Sequence, residues 1–350
     1  MHPFRNLLLV ATGHADSLEK TPTPETWKVL FNMARYQSLL GILYDGVLRL
    51  PEHQRPPQEL LDKWQELAGL TASIYRRHLQ RIEQLEPILE RTGLHGCILK
   101  GTAFSSLYPK PEHRLYGDID LWVEGSRRSI IRTFEAEGYT MSDILYQEAK
   151  VDLFDDTDVE IHFHPCKMYN PLRNARLQRF FEDNAPFKGT LSYAGTRFNA
   201  VFCMAHMYRH YLEGGIGLRQ MLDYYYVLQD LRPEDRGPVM DTLTKLGMQK
   251  FTAAVMCSVQ FNFGLEDEYL LCPPDKVYGE RLVNDIIRMG NFGVLDKRNY
   301  SGDGETKWKR FIRKNRRVFS NFKYFPGEVF WSPFARVGQW CWRFLNGYLR

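Results

Sequence analysis

Two aspartates, Asp118 and Asp120, stand two positions apart in the segment GDIDLWV. Side chains two apart in a β-strand project from the same face, so this segment predicts a strand with both carboxylates on one face and Ile119, Leu121 and Val123 on the other. Two carboxylates held close together repel each other, and a divalent cation bound to their oxygens removes that cost. The pair therefore predicts a cation site, with Mg²⁺ as its simplest occupant.

A second acidic segment, DVEIHFHP, follows further along the chain. The same alternation places Glu160, His162 and His164 on one face of a predicted strand. If this strand lies beside the first, Glu160 completes a cluster of three carboxylates with the two aspartates. Such a cluster can hold two metal ions about 3.5 to 4 Å apart, which align an attacking hydroxyl and neutralise a leaving pyrophosphate.

A lysine and a glycine, Lys100 and Gly101, follow the apolar run that precedes the aspartates. We expect a strand to end here and a helix to cover residues 102–108. A glycine lets a phosphate approach the backbone, a helix N-terminus favours an anion, and a lysine supplies a point charge. Arg114, four residues before Asp118, offers a second contact. The segment predicts a turn that binds a triphosphate.

Short apolar runs broken by turn residues extend from position 95 and predict the order strand, helix, strand, helix, hairpin. The predicted parts are strands at 97–100 and 118–123, helices at 102–108 and 126–137, and a hairpin of 146–154 with 158–165. This order is typical of a small α/β unit.

Helical patterns precede and follow this unit. We expect helices over 24–50 and 57–91, the second kinked at Pro87 and ended by Gly93, and later helices over 199–212 and 218–231. The predicted organisation is an N-terminal helical layer at 1–92, an α/β core at 93–170, a helical domain at 171–304 and a basic aromatic tail at 305–350.

The composition of the 350-residue chain, with 44% hydrophobic and 25% charged residues, predicts a folded protein rather than a disordered or fibrous one. The apolar run Leu7–Ala11 is too short for the core of a signal peptide, and no run approaches eighteen apolar residues. We therefore expect a cytoplasmic protein without a transmembrane segment. The six cysteines never form a C-x-x-C pair, which predicts reduced, mostly buried thiols.

The segments LKG, GDIDLWV and VEIH, with Arg114 between the first two, resemble the polymerase-beta-like nucleotidyltransferase superfamily, and in particular a bacterial group of nucleotidyltransferase family proteins of mostly unknown substrate. The later segment HMYRHYLEGGIGLRQMLDYYYVLQ is similar to the helical part of that group. The resemblance covers roughly residues 88–229, and its most specific part is the D-x-D strand followed by a later acid.

The resemblance implies an α+β fold, with a small mixed-sheet core between N-terminal helices and a helical C-terminal domain. It implies transfer of a nucleoside monophosphate from a nucleoside triphosphate to a hydroxyl-type acceptor on RNA, protein or a small molecule, with Mg²⁺ or Mn²⁺ as cofactor. The implied catalytic and metal-binding residues are Asp118, Asp120 and Glu160. The implied substrate-binding residues are Lys100, Gly101, Thr102, Arg114, His162 and Arg219.

The turn Lys100-Gly101-Thr102 departs from the Gly-Gly or Gly-Ser turn usual in the superfamily. It is similar to the branch that includes abortive-infection and toxin-like nucleotidyltransferases, and it leaves the choice of nucleotide open. Two other functions also stay open. One is a catalytically degenerate, nucleotide-binding regulatory module, and the other is a zinc hydrolase built on Glu160, His162 and His164.

Two further pairs lie four residues apart, a spacing that places side chains on one helical face. His206 and His210 lack the glutamate of an H-E-x-x-H zinc motif, so we expect hydrogen bonding rather than metal binding. Arg219 and Asp223 predict an ion pair across one helical turn, and either of them could face the cleft and contact the second substrate.

Residues 305–350 carry eleven Lys or Arg against two Glu. A helical pattern places Trp308, Phe311, Ile312, Phe319 and Phe322 on one side and Lys307, Arg310, Lys314 and Arg317 on another. Three interpretations stay open: a solvated face above a hydrophobic seat, contact with RNA phosphates, and peripheral docking on an anionic membrane. A tRNA acceptor fits this basic tail, whereas a small-molecule acceptor does not require it.

Overall fold

The computed structural model describes residues 2–299 and 305–348. Within these residues it contains fourteen α-helices and six strands. The strands are β1 Gly96–Ile98, β2 Ile119–Val123, β3 Met141–Ser142, β4 Glu148–Val151, β5 Val159–His162 and β6 Leu191–Tyr193. The helices are α1 His2–Ala11, α2 Pro24–Tyr36, α3 Leu40–Arg49, α4 Gln58–Thr92, α5 Arg127–Ala136, α6 Pro171–Asp183, α7 Thr196–Glu213, α8 Leu218–Asp230, α9 Pro233–Lys245, α10 Gln249–Phe263, α11 Lys276–Met289, α12 Lys307–Phe319, α13 Pro326–Val329 and α14 Ser332–Leu345.

The strands form one mixed sheet in the order β3-β4-β5-β2-β1-β6. Strand β2 is parallel to β5 and antiparallel to β1, and β4 and β5 form the predicted antiparallel hairpin. The predicted α+β class with a small mixed sheet is confirmed. The short strands β3 and β6 were not predicted from the sequence.

The two faces of the sheet pack against different layers. Ile119, Leu121 and Ile161 belong to a buried cluster that also contains residues of α4 and α5. On the opposite face, the ring of Trp122 stacks on Phe198 of α7 at a centroid distance of 5.8 Å. The acids that alternate with the apolar residues of β2 and β5 therefore face α7.

A second and larger buried cluster joins the N-terminal and C-terminal helices. It runs from Phe4 in α1 to Val329 in α13. The helices on both sides of the sheet segment thus share one core. The domain boundaries after residues 92 and 170 remain predictions, and the boundary at residue 304 lies outside the described residues.

Two of the predicted helices differ from the structure, one in its extent and one in its type. The helix predicted over 24–50 is divided into α2 and α3, because Ser38 adopts a positive φ of 58° and the side chain of Gln37 turns inward to bond Ile286 and Leu218. The expected α-helix at 102–108 is a 3₁₀-helix, Gly101–Leu107. Residues 58–92 form one helix that includes Pro87, and Gly93 ends it with a φ of 65°, as predicted.

The C-terminal tail packs in a different orientation from the one that its helical pattern indicates. Trp308 and Ile312 of α12 are 67% and 48% exposed, whereas Arg317 is buried and forms an ion pair with Asp296. One interpretation of the tail was that its aromatic side covers a hydrophobic seat. This interpretation is wrong for these residues, because Val318 makes the buried apolar contact instead. The side chain of Lys307 lies outside the described part.

None of the helices in residues 2–299 and 305–348 has the length and hydropathy needed to cross a bilayer. The six cysteines are free thiols. Cys97, Cys166 and Cys203 are buried and Cys341 is exposed. The thiols are free, as predicted, but only three of the six are fully buried.

Candidate active site

The parallel strands β2 and β5 bring the predicted acids together. Their register pairs Asp120 with Glu160 and Trp122 with His162. Ligand atoms of Asp120, Glu160 and His162 all lie within 4.8 Å of one another. Asp118, immediately before β2, lines the adjacent cavity, and its charge acts on Glu160. The structure thus brings Asp120, Glu160 and His162 within ligand distance of one another and places Asp118 on the wall of the adjacent cavity.

The carboxylate of Asp120 is almost fully buried and is held by two cationic or polar groups. Its Oδ1 lies 3.0 Å from Lys100 Nζ and 2.8 Å from His162 Nε2. Burial alone would raise the pKa of Asp120, but Lys100 and His162 outweigh it and lower the pKa to about 2. Asp120 is therefore ionised at neutral pH. The contact with Lys100 also places the predicted phosphate-binding lysine directly at the acid cluster.

Glu160 has the opposite environment. No side chain within the described residues forms a hydrogen bond or ion pair with its carboxylate. Burial, together with the charges of Asp118 and Asp120, raises the pKa of Glu160 to about 7. An acid crowded by other acids without a compensating partner is suited to bind a cation, because the cation offsets the repulsion.

Glu148, on the neighbouring strand β4, is a member of the site that sequence reasoning did not identify. The hairpin register places it opposite His162, with its Oε2 3.8 Å from His162 Nδ1. Burial opposes the charge on His162, but the bond to Asp120 and the charges of Asp120 and Glu148 raise its pKa. The sequence placed Glu148 in the predicted hairpin, because YQEAKVDLF was assigned to its first strand. The register that pairs Glu148 with His162 was not predicted.

The histidines His206 and His210 of α7 continue the polar chain from the cluster. His206 Nε2 lies 3.2 Å from Lys100 Nζ and 3.0 Å from His210 Nε2. Burial and the positive charge of Lys100 hold the pKa of His206 well below its usual range and lower that of His210 to about 3. Both imidazoles are thus neutral at neutral pH. The predicted hydrogen-bonding role of this pair is confirmed.

The predicted phosphate contact of Arg114 differs from what the structure shows. Arg114 is 2% exposed, and its Nε and Nη2 donate to both oxygens of Asp223 at 2.7 and 2.8 Å. Tyr108 donates to the same carboxylate at 2.7 Å. The guanidinium of Arg114 therefore fastens the segment before β2 to α8. It binds a carboxylate, whereas the sequence predicted that it binds a phosphate. The predicted pair of Arg219 with Asp223 is wrong for the same reason.

Arg219 instead extends toward the cavity. Its Nη1 donates to the carbonyl of Leu115 at 3.2 Å, its guanidinium lies 5.7 Å from the ring centroid of Phe292, and its Nε has no hydrogen-bond partner among the described residues. It lines the cavity together with Lys100, Gly101, Asp118, Asp120 and His206. Arg219 is thus a second cation at the place where the sequence predicted a triphosphate.

Three other predicted residues differ in how they relate to the site. Gly101 lines the cavity with a φ of 64°, which favours glycine. Thr102 is buried, and its carbonyl accepts a bond from Ser105 at 2.7 Å. His164 lies outside the cluster and stacks on Tyr146 at 5.5 Å, because β5 ends at His162. The zinc site of Glu160, His162 and His164 is therefore not assembled within the described residues.

Comparison with known proteins agrees with this geometry. A family model described as "Uncharacterised nucleotidyltransferase" matches residues 23–264. The match covers more than half of the chain, so the protein belongs to this family of nucleotidyltransferases. Neither the comparison with curated proteins nor that with solved structures finds a match.

Proposed function

We propose that the protein transfers a nucleoside monophosphate from a nucleoside triphosphate to a hydroxyl group, with a divalent cation held by Asp118, Asp120 and Glu160. The observation that carries the proposal is the carboxylate of Glu160, which lies beside Asp120 in strand register and forms no hydrogen bond or ion pair within the described residues. Membership of the nucleotidyltransferase family supports the class of reaction.

The residues present fit Mg²⁺ or Mn²⁺. Hard cations prefer oxygen ligands, and three carboxylates supply them. His162 donates to Asp120 and thereby fixes the orientation of that carboxylate, as partners of metal ligands commonly do. When bound, the cation neutralises charge on the phosphates and on the leaving pyrophosphate.

Lys100 and Arg219 are proposed to bind the phosphates. Both are cations on the wall of one cavity with Asp118 and Asp120, so a triphosphate that meets the carboxylate-bound cation would also meet these side chains. Lysine acts as a point charge, whereas the arginine fork can bind two phosphate oxygens. Gly101 lets the phosphates come close to the backbone. Arg114 and Asp223 position Arg219 by fastening α8 to the segment before β2.

The proposed reaction forms one phosphorus–oxygen bond and breaks another. The hydroxyl oxygen of the acceptor forms a bond to the α-phosphorus, and the bond from that phosphorus to the bridging oxygen breaks. Pyrophosphate leaves with the electron pair. The hydroxyl proton passes to the carboxylate of Glu160, which acts as the general base. The enzyme then contributes position and charge rather than a covalent intermediate.

The test is label transfer by the full-length protein. Each of four α-³²P-labelled nucleoside triphosphates is incubated with Mg²⁺ and a small-molecule extract or total tRNA, and labelled product and pyrophosphate are quantified together. The proposal expects the two in equal amounts, with both lost in Glu160→Gln. Release of inorganic phosphate in place of pyrophosphate would contradict it. Binding of the triphosphate without any product would favour the regulatory module instead.

A further inference from the structure

A second and larger cavity, of about 790 Å³, has Glu148, the neighbour of His162, on its wall. Its walls come from β4, from α7 and from the C-terminal helices α12 and α14. Volumes of roughly 300 to 1,000 Å³ are usual for small-molecule sites. The basic tail therefore folds back against the sheet segment and completes a cavity with it.

Positive charge dominates this cavity. Its lining contains five cations against two acids, and His210 on its wall is neutral. The cations are Lys167, Arg209, Lys314, Arg336 and Arg343, and the acids are Glu148 and Glu213. The excess of three positive charges is more than a monoanion would neutralise. It matches a dianion or a more highly charged group.

Several of these cations have unused hydrogen-bonding capacity. The Nε atoms of Arg336 and Arg343 are buried without a hydrogen-bond partner among the described residues. Lys314 forms no hydrogen bond or ion pair within the same part of the chain. Glu213 is already engaged, since it accepts a bond from Tyr169 at 2.6 Å and lies 3.5 Å from Arg209. The free donors are consistent with an anionic ligand that is shared among them.

The cavity reaches the acid cluster through two contacts. Glu148 on its wall lies 3.8 Å from the imidazole of His162, which in turn bonds Asp120. His210 on its wall has its ring centroid 4.2 Å from that of His206, which lines the first cavity. The second cavity thus adjoins the acid cluster through Glu148 and His162, and it adjoins the first cavity through His210 and His206, an arrangement that suits the two substrates of a transfer reaction.

We propose that this second cavity is the acceptor site and that it selects a small molecule that carries a phosphomonoester. The inference rests on the proposed nucleotidyl transfer. Guanidinium forks bind phosphate oxygens in pairs, and the charge excess suits a phosphate dianion better than a carboxylate. The rings of Tyr146 and Trp342 also line the cavity and offer apolar surface for the organic part of the acceptor. RNA, by contrast, is bound along an extended groove with repeated stacking surfaces.

Calorimetry on the full-length protein tests the inference without knowledge of the natural acceptor. The protein is first saturated with Mg²⁺ and a non-hydrolysable triphosphate analogue, which occupies the first cavity. It is then titrated separately with ribose 5-phosphate, glycerol 3-phosphate, inorganic phosphate, ribose and a single-stranded oligoribonucleotide. We expect both phosphomonoesters to bind and ribose not to bind.

Lys314→Gln is the main variant because, among the described residues, Lys314 has no bonded partner whose loss would unfold the helix. We expect it to weaken phosphomonoester binding about tenfold, since a charge-assisted hydrogen bond is worth roughly 1.5 kcal/mol or more. Arg336→Gln is a second variant with the same expected direction. Lys309→Gln, an exposed lysine of the same helix α12, is the matched control and should bind as the unmodified protein does. Near-UV circular dichroism checks that each variant is folded.

The inference is overturned if neither phosphomonoester binds, if only inorganic phosphate binds, or if Lys314→Gln and Arg336→Gln bind as tightly as the Lys309→Gln control. Much tighter binding of the oligoribonucleotide would overturn it in favour of RNA. Failure of the triphosphate analogue to bind is a separate result. It would contradict the proposed function and with it the acceptor role, even if the phosphomonoesters bind.

Discussion

Asp120 and Glu160 occupy paired positions on adjacent parallel strands, yet only Asp120 is held by Lys100 and His162. The pKa values of the two carboxyl groups therefore separate, to about 2 for Asp120 and about 7 for Glu160. One acid of the pair is always ionised at neutral pH, and the other titrates there. This difference makes the site sensitive to pH and to cations.

Cation binding should strengthen as the pH rises from 6 to 8. Because the pKa of Glu160 is raised in the folded protein, this group is largely protonated below about pH 7, and the proton must leave before the carboxylate can bind a cation. Below the pKa, the affinity for Mg²⁺ should fall by about tenfold per pH unit. Calorimetric titration at pH 6, 7 and 8 measures this, and an affinity that is constant across the range would contradict the assignment.

The same shift has a consequence for stability in the absence of cations. A carboxyl group with a raised folded-state pKa lets the folded chain bind more protons than the unfolded chain between pH 4.5 and about 7. The free energy of unfolding contributed by Glu160 therefore falls as the pH rises through this window. Glu160→Gln should remove that loss and raise the melting temperature at pH 8 in the presence of a chelator. A lower melting temperature for this variant would argue against crowding of the acids.

Arg114 should be required for stability. It forms a buried ion pair with Asp223, and removal of one partner of such a pair costs about 3 to 5 kcal/mol. Arg114→Met should lower the free energy of unfolding by this amount in urea titrations. The control is Arg232→Met, whose exposed pair with Asp235 is worth about 0 to 1 kcal/mol. A double variant, Arg114→Met with Asp223→Leu, should regain part of the loss, and failure to regain any would mean that Arg114 acts through another contact.

Arg219 should affect substrate binding more than stability. The hydrogen bond from its side chain to the carbonyl of Leu115 is worth about 0.5 to 1.5 kcal/mol. Arg219→Gln should raise the KM for the triphosphate by roughly tenfold or more, with a small change in Tm. Steady-state kinetics with a pyrophosphate assay, alongside thermal denaturation, separates the two effects. An unchanged KM would assign Arg219 to packing rather than to phosphate binding.

Lys100 should contribute mainly to the rate. It contacts both Asp120 and His206 at the edge of the cavity, so its charge lies where negative charge develops on the phosphates. Lys100→Gln should lower kcat by about 10² to 10³, as is usual for loss of one fixed electrostatic group. Lys100→Arg should not restore the activity, because a planar guanidinium does not reproduce a compact ammonium in a buried site. A rate within a few-fold of the unmodified protein would remove Lys100 from the mechanism.

The sequence predicted the strand-borne part of the site because alternation along a strand is a local property. The spacing of Asp118 and Asp120 and the alternation around Glu160 were enough to place all three acids on one face. The prediction was conditional on the two strands being neighbours, and in the structure β2 and β5 are adjacent and parallel. The order of these segments predicted a small α/β unit, and the resemblance to the nucleotidyltransferase superfamily implied the α+β class.

The partners of the arginines could not be predicted because they depend on contacts between distant segments. Asp223 lies four residues after Arg219, which favoured a pair within one helix, but the folded chain brings Arg114 to Asp223 from far away in sequence. The orientation of the tail helix was missed for a related reason, since its buried ion pair with Asp296 outweighs the apolar stripe. A helical pattern indicates a face and does not identify the segment that covers it.

We propose that Asp118, Asp120 and Glu160 together hold a divalent cation, and electron paramagnetic resonance of Mn²⁺ measures this binding directly. Free and bound Mn²⁺ are counted at pH 8 with a non-hydrolysable triphosphate analogue, for the unmodified protein, for Glu160→Gln and for Glu124→Gln, an exposed acid just after β2. We expect the unmodified protein to bind Mn²⁺ stoichiometrically. Glu124→Gln should retain this binding and Glu160→Gln should lose it. Equal binding by Glu160→Gln and Glu124→Gln would contradict it.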